Sequence, residues 1–156
     1  AFGFLNADGS IDKDSTDRMI CLIHRQKKEA VFHRAFDVCG DACGAMEFLI
    51  SLGAERVLTS GQRAKAMEGK KLLKQLQASY GSQIQILAGS GVNETNVGEL
   101  MAYTGISQVH SSCKDYREDP TTAAGDVSYA YLPAPYERCC DVVSSEKVRR
   151  LVDACR

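Results

Sequence analysis

The chain has 156 residues, of which 44% are hydrophobic and 25% charged, and this composition suffices for one globular domain with an apolar core. Its 19 basic and 20 acidic residues leave a net charge of −1, so the charge balance gives no indication of nucleic acid or of an anionic membrane surface as a partner. No apolar run approaches the roughly 20 residues that a membrane-spanning helix needs. The seven cysteines include no C-x-x-C pair, and an odd, sparse set of this kind predicts free thiols in a reducing, cytoplasmic compartment.

Short apolar segments alternate with helical segments along the first 110 residues. Strands are predicted to begin near positions 2, 30, 56, 84 and 107. Helices are predicted over residues 14–28, 41–52, 64–79 and 94–103, with Gly53 and Gly105 at two of their ends. The chain opens inside the apolar run FGFL, residues 2–5. Because a domain seldom begins within a buried strand, we expect further strands upstream of it.

Regular alternation of strand and helix predicts an α/β fold with a parallel sheet and crossover helices. The strands are short and almost continuously apolar, which is typical of parallel strands covered on both faces. With a last helix starting at Asp141 or Ser144, residues 1–156 are predicted to form one domain of about five βα units. Residues 115–144 contain Pro120, Gly125 and the segment Pro133-Ala134-Pro135, and they are predicted to form a long irregular loop.

Polar residues and glycines follow every predicted strand, whereas the strand interiors are apolar. In a parallel βα array the binding groups collect where strands end and crossover loops begin. The sequence therefore predicts a ligand-binding mouth built from strand-end residues. The candidates are Asn6, Arg34, Thr59, Ser60, Gly61, Gly89, Gly91, His110, Ser112 and Lys114.

The densest polar cluster is HRAFD, residues 33–37. His33 is suited to proton transfer near neutral pH, Arg34 to a bidentate contact with an anion, and Asp37 to orienting either of them. These three residues are the catalytic candidates. The alternative is a structural role, in which Arg34 and Asp37 form an ion pair that caps the next helix.

A glycine turn, Gly89-Ser90-Gly91, leads from the fourth strand into a helix that Asn93 is suited to cap. Such a turn presents free N–H groups and the positive end of the helix dipole to an anion. The polar loop of residues 111–114 follows the next strand, and the two loops together resemble the phosphate grip of late barrel loops. The alternatives are a turn that needs glycine for geometry only and a core position for His110.

Cys39 and Cys43 lie four residues apart, near His33. Thiolates with an imidazole would suit Cu(I) or zinc, and this makes the three residues weak metal candidates. A C-x-x-x-C spacing is unspecific, and Cys39 is predicted to lie in a turn. No catalytic triad, P-loop or zinc-hydrolase motif is present.

Several blocks of the sequence resemble the CutC family of copper homeostasis proteins. They are FGFL followed by DGSID at residues 2–12, VFHRAFD at 31–37, RVLTSG at 56–61 and AGSGVN at 88–93. They occur in the family's order and spacing, and the resemblance extends over residues 2–114.

The resemblance implies a cytosolic TIM-type barrel that binds copper, of which this chain would hold strands four to eight. The family's proposed copper-binding cysteines lie in the N-terminal strands and have no counterpart here. Ser90 stands where the family has a central glycine, and Cys113 and Lys114 stand where it prefers Ala and Arg. Lys keeps the charge of Arg but loses its bidentate fork.

Three hypotheses about function follow. The first is copper homeostasis with a bound copper ion. The second is an enzyme-like mouth for a small phosphorylated or carboxylated ligand, with Arg34 and Lys114 as anion contacts and His33 as acid or base. The third is a partial barrel that functions only with further strands or with a second copy of the chain, because five strands cannot close an eight-stranded barrel.

Overall fold

Four short parallel strands form the central sheet in a computed structural model that describes all residues from Ala1 to Arg156. Their spatial order is the same as their order in the chain. The strands are β1 (Val31–Phe32), β2 (Arg56–Thr59), β3 (Gln85–Ala88) and β4 (Gln108–Val109). The predicted first strand is reduced to one parallel bridge between Phe2 and Phe32.

Helices connect the strands and end the chain. They are α1 (Lys13–Arg25), α2 (Ala42–Ser51), α3 (Lys70–Tyr80), α4 (Val97–Thr104) and α5 (Ser145–Ala154). The side chains of Asp12, Asp41 and Ser144 accept hydrogen bonds from first-turn amides of α1, α2 and α5. The α/β alternation predicted from the sequence is therefore confirmed for the four-stranded sheet.

Helix α3 begins six residues later than predicted, at Lys70 instead of position 64. The intervening segment is bound to the glycine turn, since the amide of Ala66 donates to the carbonyl of Ser90 at 2.9 Å. Gly69 packs so closely on the backbone of Ser60 and Gly61 that a side chain there would collide with it. These contacts replace the first two turns of the predicted helix.

Helices cover only one face of the sheet. On that face Phe32, Val57 and Ile86 are fully buried, with 0%, 0% and 3% of their surfaces exposed. On the opposite face Leu58 and Leu87 are only half-buried. The sheet does not close, because β1 and β4 do not pair with each other. The structure is thus an open arc of parallel strands with one helix-covered face and one bare face.

The segment after β4 is more regular than the irregular loop predicted for residues 115–144. Strand β5 (Lys114–Glu118) pairs antiparallel with β8 (Cys139–Val143), and β6 (Ala123–Ala124) pairs with β7 (Val127–Ser128) in a hairpin. The sequence of β5, KDYRE, lacks an apolar face, so its pattern did not indicate a strand. Side-chain pairs stabilise the ribbon instead: the rings of Tyr116 and Tyr136 stack with centroids 4.0 Å apart. No helix of the chain is long and apolar enough to cross a membrane.

Candidate functional site

The carboxyl ends of β2, β3 and β4 lie against one another. A Cβ atom added to Gly89 would lie 2.6 Å from Leu58 Cδ1 and 3.4 Å from His110 Cβ. Gly89 is therefore fixed by close packing between two neighbouring strands and is not exposed to a ligand. His110 lies beside it at the end of β4 and is exposed, so it is not a core histidine.

The carboxylate of Asp37 is the centre of the polar cluster between the ends of β1 and β2. It accepts hydrogen bonds from Arg34 Nε at 2.7 Å, from Thr59 Oγ1 at 2.5 Å and from the amide of Gln62 at 3.2 Å. The amide of Ser60 lies 3.0 Å from both carboxylate oxygens. Only 6% of the Asp37 side chain is exposed. Its oxygens are saturated by groups of the chain itself.

This environment fixes the ionisation of Asp37. Burial acts to raise the pKa of its carboxyl, but the hydrogen bonds from Thr59, Arg34, Ser60 and the Gln62 amide outweigh burial and hold the pKa below the ordinary value of 3.8. Asp37 is consequently an anion at neutral pH and holds the two strand ends together. The ion pair of Arg34 with Asp37, which the structural alternative raised from the sequence included, is present. It does not cap the next helix, because Asp41 accepts the first-turn amides of α2.

Arg34 also donates from Nη2 to Ser60 Oγ at 2.9 Å. Its Nη1 group makes no hydrogen bond within the chain, and 42% of its side chain is exposed. Arg34 therefore keeps one edge of its guanidinium free for an anion, although Asp37 neutralises much of its charge. Thr59 and Ser60 are fully buried in the same cluster.

The ring of His33 is held in one orientation. Its Nδ1 accepts a hydrogen bond from the amide of Ala35 at 3.1 Å, and a Cβ atom on Gly3 would lie 2.5 Å from the ring. In the neutral ring the hydrogen must then be on Nε2. His33 is arranged to donate from Nε2, and its Nδ1 is not available to a metal.

The three metal candidates do not form a common site. The thiol of Cys39 is buried and lies 3.6 Å from the carbonyl of Ala35. Burial, together with the negative charge of Asp37, raises its pKa, which disfavours the thiolate that a metal needs. Cys43 is exposed on α2 beside Tyr80, whose pKa is raised to about 12 by burial and by hydrogen bonding to Cys43 and Glu47. No group of three or more His, Cys, Asp or Glu side chains is placed to hold a metal ion.

A cavity of about 420 Å³ separates the glycine turn from the loop after β4. The predicted residues Gly91, Ser112 and Lys114 line it, together with residues 92–95 and Lys147. The amides of Gly91, Val92 and Glu94 donate no hydrogen bond within the chain. This is the pairing of loops that the sequence predicted. Arg34, Thr59, Ser60 and Gly61 are not part of the cavity wall, so Arg34 and Lys114 do not line one site.

Two residues of these loops adopt left-handed backbone angles that favour glycine. Ser90 has φ 77° and Cys113 has φ 42°. Ser90 Oγ donates to the carbonyl of Ala64 at 2.8 Å, which offsets part of the strain.

Two features of the mouth were missed from the sequence. Lys147 lies on α5, 33 residues beyond Lys114 in the chain, and it lines the cavity although no local pattern indicated this. A second cavity of about 770 Å³ lies between residues 6–14 and 39–48. Asn6 lines this cavity and donates to Ser10 Oγ at 3.0 Å, so it does not share a site with the glycine turn.

A sequentially ordered parallel βα array with polar strand ends defines an α/β protein with a parallel sheet. The model of the CutC family matches residues 1–115, and the chain belongs to that family.

Relatives of known name support the same family. A CutC family protein of Vibrio vulnificus strain YJ016 is 46% identical over 121 residues, which are 78% of this chain and 48% of the relative. One from Treponema denticola is 36% identical over 152 residues, covering 97% of this chain and 61% of the relative. The chain thus spans about half to three fifths of the length of these relatives.

A solved structure has a similar fold. It is the Streptococcus agalactiae protein named "Putative Copper Homeostasis Protein CutC", with a TM-score of 0.63 and 30% sequence identity. The similarity covers 69% of this chain and 52% of that one.

Proposed function

We propose that the protein represented by this chain acts in copper homeostasis in the cytosol. Membership of the CutC family, carried by the match over residues 1–115, is the observation that supports this role. The name of the Streptococcus agalactiae relative associates that protein with copper homeostasis.

We also infer that the open sheet is an arc of a TIM-type barrel. Its strands are parallel and neighbour one another in chain order, β1-β2-β3-β4, as barrel strands do, whereas a doubly wound sheet reverses its order. The bare face, with Leu58 and Leu87, then corresponds to the barrel interior, which other strands would cover.

Copper in this proposal is a cargo ion, and the residues of the chain do not form a closed centre for it. Nδ1 of His33 is bonded to an amide, and the Cys39 thiol is kept protonated by its surroundings. Two thiols suffice for Cu(I) only if both can ionise. We therefore expect this chain by itself to hold copper weakly.

Competition of the purified chain with a Cu(I) chelator tests the metal part of this proposal. We expect little copper to be retained, and a Cys39→Ser/Cys43→Ser double variant to retain as much as the original chain.

Complementation of cells that lack their own CutC family protein tests the cellular role. Failure of the full-length protein to restore normal cellular copper would overturn that role.

We propose a second function, the binding of a small phosphorylated or carboxylated ligand at the strand ends. The supporting observation is the cavity between Gly91 and Ser112, with its unpaired amides and its lysines. Free N–H groups on a glycine turn before a helix favour negative charge.

Thermal unfolding with inorganic phosphate tests this second function. Ligand at about 100 times its Kd should stabilise the chain by about 2.7 kcal/mol. Chloride at matched ionic strength is the salt control. Ser112→Asp should abolish the phosphate effect by placing a carboxylate in the cavity, whereas Ser107→Asp, on an exposed position before β4, should not. Equal stabilisation of both variants by phosphate would contradict a site in this cavity.

A further inference from the structure

We propose that the ribbon, residues 114–143, is a hinged lid over the cavity beside the glycine turn, and that Lys147 is the latch that holds it in the open position. The ribbon connects β4 with α5, so it is the strand-to-helix loop of the last βα unit. Such loops form the ligand-binding edge of parallel βα arrays, and long ones can close over it. The cavity is the one assigned to the second proposed function, so the purpose of the lid rests on that function, whereas its movement does not.

The ribbon has almost no apolar core. Thr122 is its only buried residue, and its strands pair with one another and not with the central sheet. A segment with few buried contacts separates from the rest of a fold at a low cost in free energy. The ribbon can therefore move as a unit while its internal ladder stays intact.

The two ends of the ribbon meet at a narrow hinge. The amide of Ser144 donates to the carbonyl oxygen of Cys113 at 3.0 Å, and Lys114 pairs with Val143 in the first step of the ladder. Cys113 has the left-handed φ of 42°, which is unfavourable for a residue with a Cβ atom. Hinges are residues at the ends of elements that absorb a change of backbone angles. Cys113 and Ser144 are placed to do so while β4 and α5 keep their positions.

Lys147 links the first turn of α5 to the base of the ribbon. Its Nζ donates to the carbonyl oxygen of Lys114 at 2.8 Å and lies 3.4 Å from Asp115 Oδ1. The salt bridge of Lys114 with Asp141, at 3.1 Å, lies inside the ribbon and moves with it. The side chains of Lys147 and Asp115 are 37% and 48% exposed, and an ion pair of this exposure stabilises little. The latch is therefore weak enough to be released and formed again.

The face of the ribbon that continues the cavity wall carries exposed tyrosines. Lys114 lines the cavity, and Tyr116 lies on the same face because side chains alternate along a strand. Asp141 is directly opposite Tyr116 in the ladder and accepts a hydrogen bond from the hydroxyl of Tyr131. The ring of Tyr136 stacks on that of Tyr116, and the three tyrosines are between 39% and 62% exposed. Closure of the ribbon over the cavity buries this aromatic surface, which favours the closed position.

Distances between two spin labels test the movement of the ribbon. The labels are attached to ketone-bearing amino acids at Val127, in the hairpin of the ribbon, and at Thr95, beside the glycine turn, so that the native cysteines are not used. Double electron–electron resonance of the original chain should show two distances, the shorter one from the closed position. Lys147→Met should increase the ratio of closed to open chains about threefold, as expected for the loss of an exposed ion pair. Lys147→Arg retains the charge and should change this ratio by less than about twofold.

Matched variants separate the latch from general effects on the fold. Arg149→Met removes a charge from an exposed position of the same helix and should leave the ratio unchanged. Asp115→Asn keeps Lys147 and weakens the latch from the side of the ribbon, so it should shift the ratio in the same direction as Lys147→Met. Tyr136→Ser should instead lower the closed fraction, whereas Tyr129→Ser, which lies outside the stack, should not.

The outcomes distinguish the lid, its latch and its ligand. A single distance in both the original chain and Lys147→Met would overturn the hinged lid. Two distances whose ratio is the same in the original chain, Lys147→Met and Asp115→Asn would overturn Lys147 as the latch. Absence of stabilisation by phosphate in thermal unfolding would overturn the second proposed function alone, because no ligand takes part in the distance measurement.

Discussion

Asp37 and Ser60 join the ends of two neighbouring strands through both the backbone and the side chain. The amide of Ser60 lies 3.0 Å from each oxygen of the Asp37 carboxylate, and Ser60 Oγ lies 2.8 Å from Oδ2. The contact crosses from the turn after β1 to the turn after β2. Asp37 therefore substitutes for the ladder hydrogen bonds that end with the strands.

Replacement of Asp37 by Ala should destabilise the chain by about 3 kcal/mol. The substitution leaves the amides of Ser60 and Gln62 without acceptors in a partly buried place and frees Arg34 from its partner. Urea unfolding followed by circular dichroism measures the change. Asp126→Ala, at an exposed hairpin position, is the control and should cost less than about 0.5 kcal/mol. Equal losses in the two variants would show that the hydrogen bonds of Asp37 do not stabilise the fold.

The stabilisation by Asp37 should depend on pH with a defined sign. Its folded-state pKa lies below the ordinary value of 3.8, so the folded chain binds the proton less readily than the unfolded chain. The contribution is fully present above the unfolded pKa and is lost as the pH falls through the folded pKa. The difference in unfolding free energy between the original chain and Asp37→Asn should therefore be constant from pH 7 to 5 and shrink below the ordinary value. A difference that grows on acidification would contradict the lowered pKa.

Ser90 should be a position where glycine is better tolerated than alanine. Its φ of 77° costs a residue with a Cβ atom about 1 kcal/mol relative to glycine. Ser90→Ala keeps this strain and loses the hydrogen bond to Ala64, whereas Ser90→Gly loses the bond and removes the strain. We expect the glycine variant to be more stable than the alanine variant by about 1 kcal/mol in urea unfolding. The opposite order would mean that the turn does not need the left-handed conformation.

The sequence predicted the βα order, the parallel sheet and the facing loops at Gly91 and Ser112, because each depends on local apolar patterns and on glycine punctuation. It did not predict β5 and β8, whose polar residues pair only across the ribbon, as Lys114 does with Asp141. The late start of α3 depends on the hydrogen bond from the amide of Ala66 to the carbonyl of Ser90. The apolar pattern of residues 64–79 gives no indication of this long-range contact. The position of Lys147 at the wall of the cavity likewise depends on how α5 packs, which no local pattern of the sequence indicates.

The placement of Arg34 shows the same limit in the polar cluster. The sequence put every strand-end residue in one mouth, since parallel strands end at one edge. Arg34 is instead held beside β1 and β2 by its hydrogen bonds to Asp37 and Ser60. The cavity is lined by the loops after β3 and β4. Strand order predicts at which edge of the sheet the polar residues lie. The hydrogen-bond partners of each side chain determine which of those residues share a site.

The two faces of β2 should respond differently to loss of side-chain volume. Val57 is fully buried under the helices, whereas its neighbour Leu58 is half-buried on the bare face. Val57→Ala should therefore cost about 2.5 kcal/mol and Leu58→Ala less than about 1 kcal/mol, although leucine loses more atoms. Urea unfolding at two protein concentrations tenfold apart measures both. A loss for Leu58→Ala as large as that for Val57→Ala, and increasing with protein concentration, would show that a second copy covers the bare face in solution.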